Sequence, residues 1–379
     1  MVSLSRLPLL LLLVALTSTG ADSDFSVSST STESVDSSTE HVSFVKQWTL
    51  TATNSPNNNN DDDDDNDSDD GDDKIDTIKL QLPGRVFVSY SNSLPSGVLG
   101  YVNVSGDFQT VVDTVRVSSN DDDEELEVKF DGRSTSSTGY LMTEIFLATS
   151  NVVDDVEIES TAEVIIEDGV LVASNTNKEV QIKAKDSSVV YVSSSALSLQ
   201  DLKLELSNSA TLQLSTDSIT LREDGQFQAH DKASINVVTP FLTVDDLDLD
   251  AENSGTICIS ATDVKARNFD GQDRSRISLP NASSKYTSTG TGSCEKTSIP
   301  SRVPACVSNS ACSSTTNGSS TTSASNASTA TSVPSSSTTS APSADAIRTS
   351  EQTSDAVAST KVYAVGMALT TGLLIAVSL

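Results

Sequence analysis

IKAKDSSVVYV (182–192), LELSNSATLQL (204–214), FQAHDKASINV (227–237) and LDAENSGTICI (249–259) superimpose residue on residue. Their starts are 22, 23 and 22 residues apart. Each segment alternates apolar and polar residues up to an Asp or Asn. A short polar pair ending in a small residue follows, and then a second alternating run. A second set of pairs keeps the same step: Leu197/Leu199, Ile219/Leu221, Leu242/Val244 and Val264/Ala266. A fixed period of about 22 residues denotes stacked supersecondary units, because one such unit cannot bury its apolar face alone.

Strands this short, joined by single Asp or Asn corners, leave no room for crossover helices. Equivalent strands of successive units can then lie on one another, parallel and in register, about 4.8 Å apart. The expected inward columns are Val190, Leu212, Ile235, Ile257 and Val192, Leu214, Val237, Ile259. Asp186, Asn208, Asp231 and Asn253 form the corner column, residue types that tolerate left-handed backbone angles. Parallel crossovers wind right-handed by default. The fold expected is therefore all-β, a right-handed parallel β-helix with about 22 residues per turn. Outward Gln213, beside inward Leu212, is expected to tolerate substitution by Asp.

The D-L-x-L-x-x-x-x-S-x-x-[LI] rhythm of Asp201 to Leu212 and of Asp246 to Ile257, with I-D-T-I-K-L at Ile75 to Leu80, resembles the auto-transporter adhesin head (GIN) domain family. The resemblance covers roughly Lys74 to Pro280. It implies a surface-exposed adhesion or binding module and brings no catalytic or cofactor-binding residue with it.

Charge and composition narrow the rest. The formal net charge is −30, which excludes phosphate-driven nucleic-acid binding and favours solubility. Residues 1–20 carry a single basic residue, Arg6, an apolar run from Leu9 to Leu16 and small residues after it, the pattern of a secretory signal peptide. At the other end a polar spacer ending at Lys361 precedes the apolar tail VYAVGMALTTGLLIAVSL (362–379), with no basic residue after it. That pattern is expected to be a glycolipid-anchor signal, residues 355–379, with attachment at Ser354 and with Ser350 and Ser343 as alternatives. The expected location is the outer face of the plasma membrane or the cell wall.

Between these ends, residues 21–73 read as a disordered Ser/Thr- and Asp-rich segment. Within it Val42 to Leu50, holding the only tryptophan, Trp48, is expected to cap the first turn. The acidic tract Asn57 to Asp73 lacks the glycine and glutamate placement of a calcium loop and reads as a solvated linker. Residues 74–290 are assigned to the β-helix, about nine turns if every turn takes about 22 residues. Residues 291–354 read as an extended, O-glycosylated Ser/Thr-rich stalk. Asn66, Asn103, Asn281, Asn317 and Asn326 stand in N-glycosylation sequons.

Cys258, Cys294, Cys306 and Cys312 suit an oxidising compartment and allow three pairings. Cys258 with Cys294 would clip the exit segment to the coil, and Cys306 with Cys312 would close a small loop. With two histidines, His41 and His230, and no C-x-x-C spacing, no metal site is expected.

One outward column runs Lys185, Ser207, His230, Glu252, which places a nucleophile, a base and a carboxylate on successive rungs. Nothing like a nucleophile elbow or oxyanion donor surrounds Ser207, so no catalytic residue is assigned. The reading from sequence is a non-catalytic, adhesin-like binding protein on a glycosylated stalk. Its partner is a cell-surface or wall ligand that the sequence does not choose, a glycan being one candidate, and its membrane contact is through a lipid anchor. The alternatives are a carbohydrate-active β-helix enzyme, which needs converging acids in a cleft, and a purely structural coat protein.

Overall fold

A computed structural model describes residues 25–53, 74–120, 124–131, 138–280, 286, 294, 296–307 and 312. All of them belong to one compact unit, Met1–Thr316. Each quoted segment folds as strand, corner, strand. Leu197–Leu206 turns at Asn208 into Thr211–Thr216, Asp224–Ala229 turns at Asp231 into Ser234–Val238, and Phe241–Ala251 turns at Asn253 into Thr256–Ser260. The corner residues Asp186, Asn208, Asp231 and Asn253 have φ of 62°, 62°, 60° and 56°. A left-handed angle costs Asn and Asp less than other residues with a Cβ, which explains why this column holds nothing else.

The corners also bond to one another. Asn208 Nδ2 donates to Asp186 Oδ1 at 3.2 Å and Asn253 Nδ2 to Asp231 Oδ1 at 3.3 Å. Two residues past each corner comes a fully inward position: Ser188, Ala210, Ala233 and Gly255. The space there closes along the stack, and a Cβ on Gly255 would lie 1.9 Å from Ala229 O.

The predicted columns stack in register. Val190 pairs with Leu212, Leu212 with Ile235, and Ile235 with Ile257, all in parallel strands and all buried. Leu197, Ile219, Leu242 and Val264 stack likewise in the second sheet. The molecule is nearly all β, with a solenoid of about 5 turns at about 23 residues per turn, fewer than the nine expected.

The shortfall comes from the first half of the chain. Thr77–Gln81 and Arg85–Tyr90 form a rung, but the chain then departs through Val98–Gly106, a short helix Gln109–Val112, and Val115–Ser119. It returns as Glu125–Phe130 and Tyr140–Leu147, which lie parallel to that first rung on one side. Asp155–Ser160 and Glu163–Ile166 lie parallel to it on the other. The coil is thus extended in both directions from Thr77–Tyr90, and about 65 residues yield one rung and a cap.

The cap corrects the reading of disorder for residues 25–53 of the segment 21–73. Phe25–Ser29, Glu33–Ser34 and Phe44–Ala52 are strands, and Phe44–Ala52 runs antiparallel to Val98–Gly106. Phe25, Trp48 and Leu50 are buried. The Ser/Thr richness of this segment reflects one solvent-facing side of paired strands, and backbone pairing supplies the order that composition conceals. The antiparallel strands close the first sheet at an end that would otherwise present an open edge. The acidic tract Asn57 to Asp73, residues 1–20 expected to be a signal peptide and residues 355–379 expected to be an anchor signal lie outside the described residues.

Candidate binding face under a disulfide-pinned strap

The outward face of the first sheet is where the structure departs furthest from expectation. Phe87, Met142 and Ile165 point outward on Arg85–Tyr90, Tyr140–Leu147 and Glu163–Ile166, yet all three are buried, and Tyr191 packs against them. They are covered by residues 296–307, which the sequence assigns to the stalk. This strap crosses the strands of the first sheet from the far rungs back towards the cap. The β-helix domain therefore extends past residue 290, into the segment 291–354 that the sequence assigns to a stalk.

The strap is fixed from end to end. Cys294 is bonded to Cys258 on the outward side of Thr256–Ser260, and Cys306 to Cys312, the two pairs that the sequence offered among three arrangements. Thr297 N and Oγ1 donate to Gln213 Oε1 at 2.7 and 2.9 Å, while Gln213 Nε2 donates to Thr297 O at 3.2 Å. Gln213 is buried, so the expected tolerance of an Asp there is wrong: the position faces outward and is covered by the strap. Arg85 Nη1 donates to the carbonyls of Ser301 and Val303, both at 2.9 Å, and its other nitrogens hold Glu163. Ala305–Cys306 finishes the crossing as a short strand antiparallel to Tyr140–Leu147.

Arg302 is the centre of this clamp. Its guanidinium carbon lies 4.6 Å from the Phe87 ring centroid, and it donates to Glu144 at 2.8 Å, Ser89 at 2.9 Å and Glu167 at 2.6 Å. Burial opposes its charge, but its hydrogen bonds to Glu167 and Glu144 outweigh burial and raise its pKa further. A planar guanidinium suits this role because it stacks on a ring and forks to two carboxylates at once.

No family model matches the chain. No curated protein matches it either. Three solved structures are similar over much of their own length at low identity. One, named a "putative adhesin" from Bacteroides fragilis, is 12% identical, with 54% of this chain and 91% of that chain covered and a TM-score of 0.32. A second "putative adhesin", from Parabacteroides distasonis, is 13% identical, with 62% and 96% covered and a TM-score of 0.32. A chain named a "putative lipid binding protein", also from Parabacteroides distasonis, is 12% identical, with 54% and 92% covered and a TM-score of 0.28.

The Lys185, Ser207, His230, Glu252 column is assembled only in part. His230 Nδ1 lies 3.1 Å from Glu252 Oε2 across one rung. Lys185 turns the other way, to Glu159 at 2.7 Å. Among the described residues no hydrogen bond joins the Ser207 hydroxyl to His230, and the Ser207 N–H is spent on Ala184 O at 3.1 Å. A carboxylate that orients a histidine is present; a nucleophile activated by that histidine is not part of the geometry.

The second sheet carries an acidic face on the same late rungs. Asp224, Asp246, Asp248 and Asp270 line a groove of about 450 Å³ with Gln226, Asn268 and Phe269. The carboxyls of Asp224, Asp248 and Asp250 are all pushed up, by burial first and then by neighbouring carboxylates. Earlier rungs of that sheet are charge-balanced instead. Lys79 holds Glu157 at 3.0 Å, and Glu159 is lowered by hydrogen bonds from Lys185 and Gln81.

Of the sequons, Asn103 sits mid-strand in Val98–Gly106 rather than in a surface loop, and its Oδ1 accepts from Gln47 Nε2 at 2.8 Å. Asn66, Asn281, Asn317, Asn326 and Ser354, the expected attachment residue, lie outside the described residues. The strap itself left one legible trace, the apolar residues Phe87 and Ile165 at outward positions of alternating strands. An outward apolar column indicates a covered face.

Proposed function

We propose that this protein is a surface-displayed, non-catalytic binding module of adhesin type. The signal peptide 1–20 carries it into the secretory route, a lipid at Ser354 holds it, and a Ser/Thr-rich stalk spaces it from the membrane. The GIN resemblance of Asp201 to Leu212 and Asp246 to Ile257 supports this reading, and so does the apolar tail at 362–379. The observation that carries it is the pinned outer face. A stacked coil whose outward column Thr211, Ser234, Thr256 repeats hydroxyl groups from rung to rung, on a face locked by a strap and two disulfides, offers a rigid array of weak polar contacts. Many copies on one surface turn weak contacts into avidity, because each further contact forms at high local concentration.

The test is attachment of beads bearing the full chain, at low and at high density, to candidate cells and wall polysaccharides. Attachment should rise steeply with density. No attachment at any density, with sugar release from polysaccharide that is lost in His230→Ala or Glu252→Gln, would favour the enzyme reading.

A further inference from the structure

The strap creates a groove along one edge. Tyr191, Gln213 and Cys258 belong to the outward column beneath it, and two residues further along the same strands lies the column Ser193, Ser215, Val238. That second column floors a groove of about 420 Å³. Lys296 of the strap forms one wall, and Asp168, Asp217 and Pro240 of the turns that end the strands form the other. Hydrogen bonds fix these turns. Asp168 Oδ1 accepts from Ser195 N at 2.8 Å, Thr216 Oγ1 donates to Ser218 O at 3.1 Å, and Thr239 Oγ1 to Phe241 O at 3.0 Å. Cys294, two residues before Lys296, is tied to Cys258, so the strap wall is fixed as well.

The polar groups of this groove are left with capacity to spare. Among the described residues Lys296 and Asp217 form no salt bridge with each other or with any other group. The Ser215 hydroxyl oxygen is sealed from solvent and has no hydrogen-bond partner, an arrangement that is costly unless some occupant relieves it. The carboxylates accept from hydroxyl groups, the ammonium donates to hydroxyl and ring oxygens, and Val238 of the floor with Pro240 of the wall offers a small apolar surface. Charges of both signs facing one space disfavour a polyanion and a polycation alike. A peptide strand would need an open sheet edge, and this groove is built on a sheet face.

We infer that the groove binds a linear, neutral polysaccharide, with sugar hydroxyls on Asp168, Asp217 and Lys296 and a C–H face on Val238 and Pro240. The rungs repeat at about 4.8 Å, close to the length of one pyranose residue in an extended chain, so successive sugars meet successive rungs. With no aromatic platform in the groove, each site binds weakly, as multivalent attachment requires. This inference rests on the adhesive reading above and adds a site and a ligand class to it.

The experiment titrates the purified full chain with cellohexaose, laminarihexaose and mannohexaose by ligand-observed NMR, beside the bead assay. Saturable binding of at least one hexasaccharide is expected, weakened at least tenfold in Lys296→Met and in Asp217→Asn and unchanged in Lys232→Met, an exposed lysine at a distant corner. Equal binding by all variants overturns the groove. So does a lack of binding to all three sugars while dense beads still attach, which leaves adhesion standing and moves it elsewhere. Failure of both sugars and beads removes the adhesive reading and this site together.

Discussion

The regular rungs and the strap lie on opposite sides of the same strands and are held by different forces. Inside, Val190, Leu212, Ile235 and Ile257 form a column with no polar partner to satisfy, and position along the chain alone fixes who meets whom. Outside, the strap depends on individual side chains: one glutamine, two arginines and two disulfides. Periodic burial tolerates much substitution that preserves volume and pattern, whereas a clamp of single contacts tolerates little. The strap converts an outward face, normally the permissive side of a solenoid, into a second interior.

That contrast predicts a ranking of substitutions. Leu212→Asp should have the largest effect, because it buries a carboxylate between Val190 and Ile235 at a cost of several kcal/mol. Denaturant unfolding should show the regular rungs lost cooperatively. Gln213→Ala, one residue along, removes all three hydrogen bonds to Thr297 and should cost about 2 kcal/mol. Protease should then cut within residues 296–303 before any loss of the β-sheet circular dichroism signal. If Gln213→Ala behaved like an ordinary surface substitution, with no new cleavage, the clamp would be a minor feature.

How far each region could be read from sequence follows the same division. The columns were legible because an offset of 22 or 23 residues brings identical pattern positions together, and the corner column identified itself by Asp and Asn. The cap was half legible: Trp48 and its neighbours suggested packing, but strand Phe25–Ser29 hides among serines because its partner is chosen by backbone pairing. The strap was illegible as a fold element. S-I-P-S-R-V-P-A-C has neither period nor propensity, and its partners are as much as 218 residues away, as for Arg85 and Val303. Phe87 and Ile165 carried the only hint, since an apolar outward residue needs a cover. The groove depends on the strap and could not be found before it.

Smaller effects separate the corners from the acidic face. Asn208→Ala should cost about 1 kcal/mol, because alanine lacks both the tolerance of φ 62° and the bond to Asp186. Asn208→Gly, which keeps only the backbone freedom, should cost less, and thermal melts of the two variants give the comparison. The pH effect should be the smallest, under about 1 kcal/mol after solvent screening. Asp224, Asp248 and Asp250 are raised in the folded state, so folding takes up protons as pH falls through their raised pKa values. Stability contributed by these groups should rise from neutral pH towards the ordinary carboxylate range near about 4. Below that range Glu127 and Glu159, both lowered in the folded state, should take stability away. An Asp224→Asn, Asp248→Asn, Asp250→Asn triple variant should flatten the acid-side gain.

The most direct test of the strapped coil is amide hydrogen exchange on the intact, oxidised protein, followed by mass spectrometry across residues 294–307. The amides of Thr297 and Val307, bonded to Gln213 Oε1 and Gly139 O at 2.7 and 2.9 Å, should be protected together with the strands Val189–Ser194 and Thr211–Thr216. Protection of those strands alone, with 294–307 exchanging at the rate of a free peptide, would return this segment to the stalk and contradict the account.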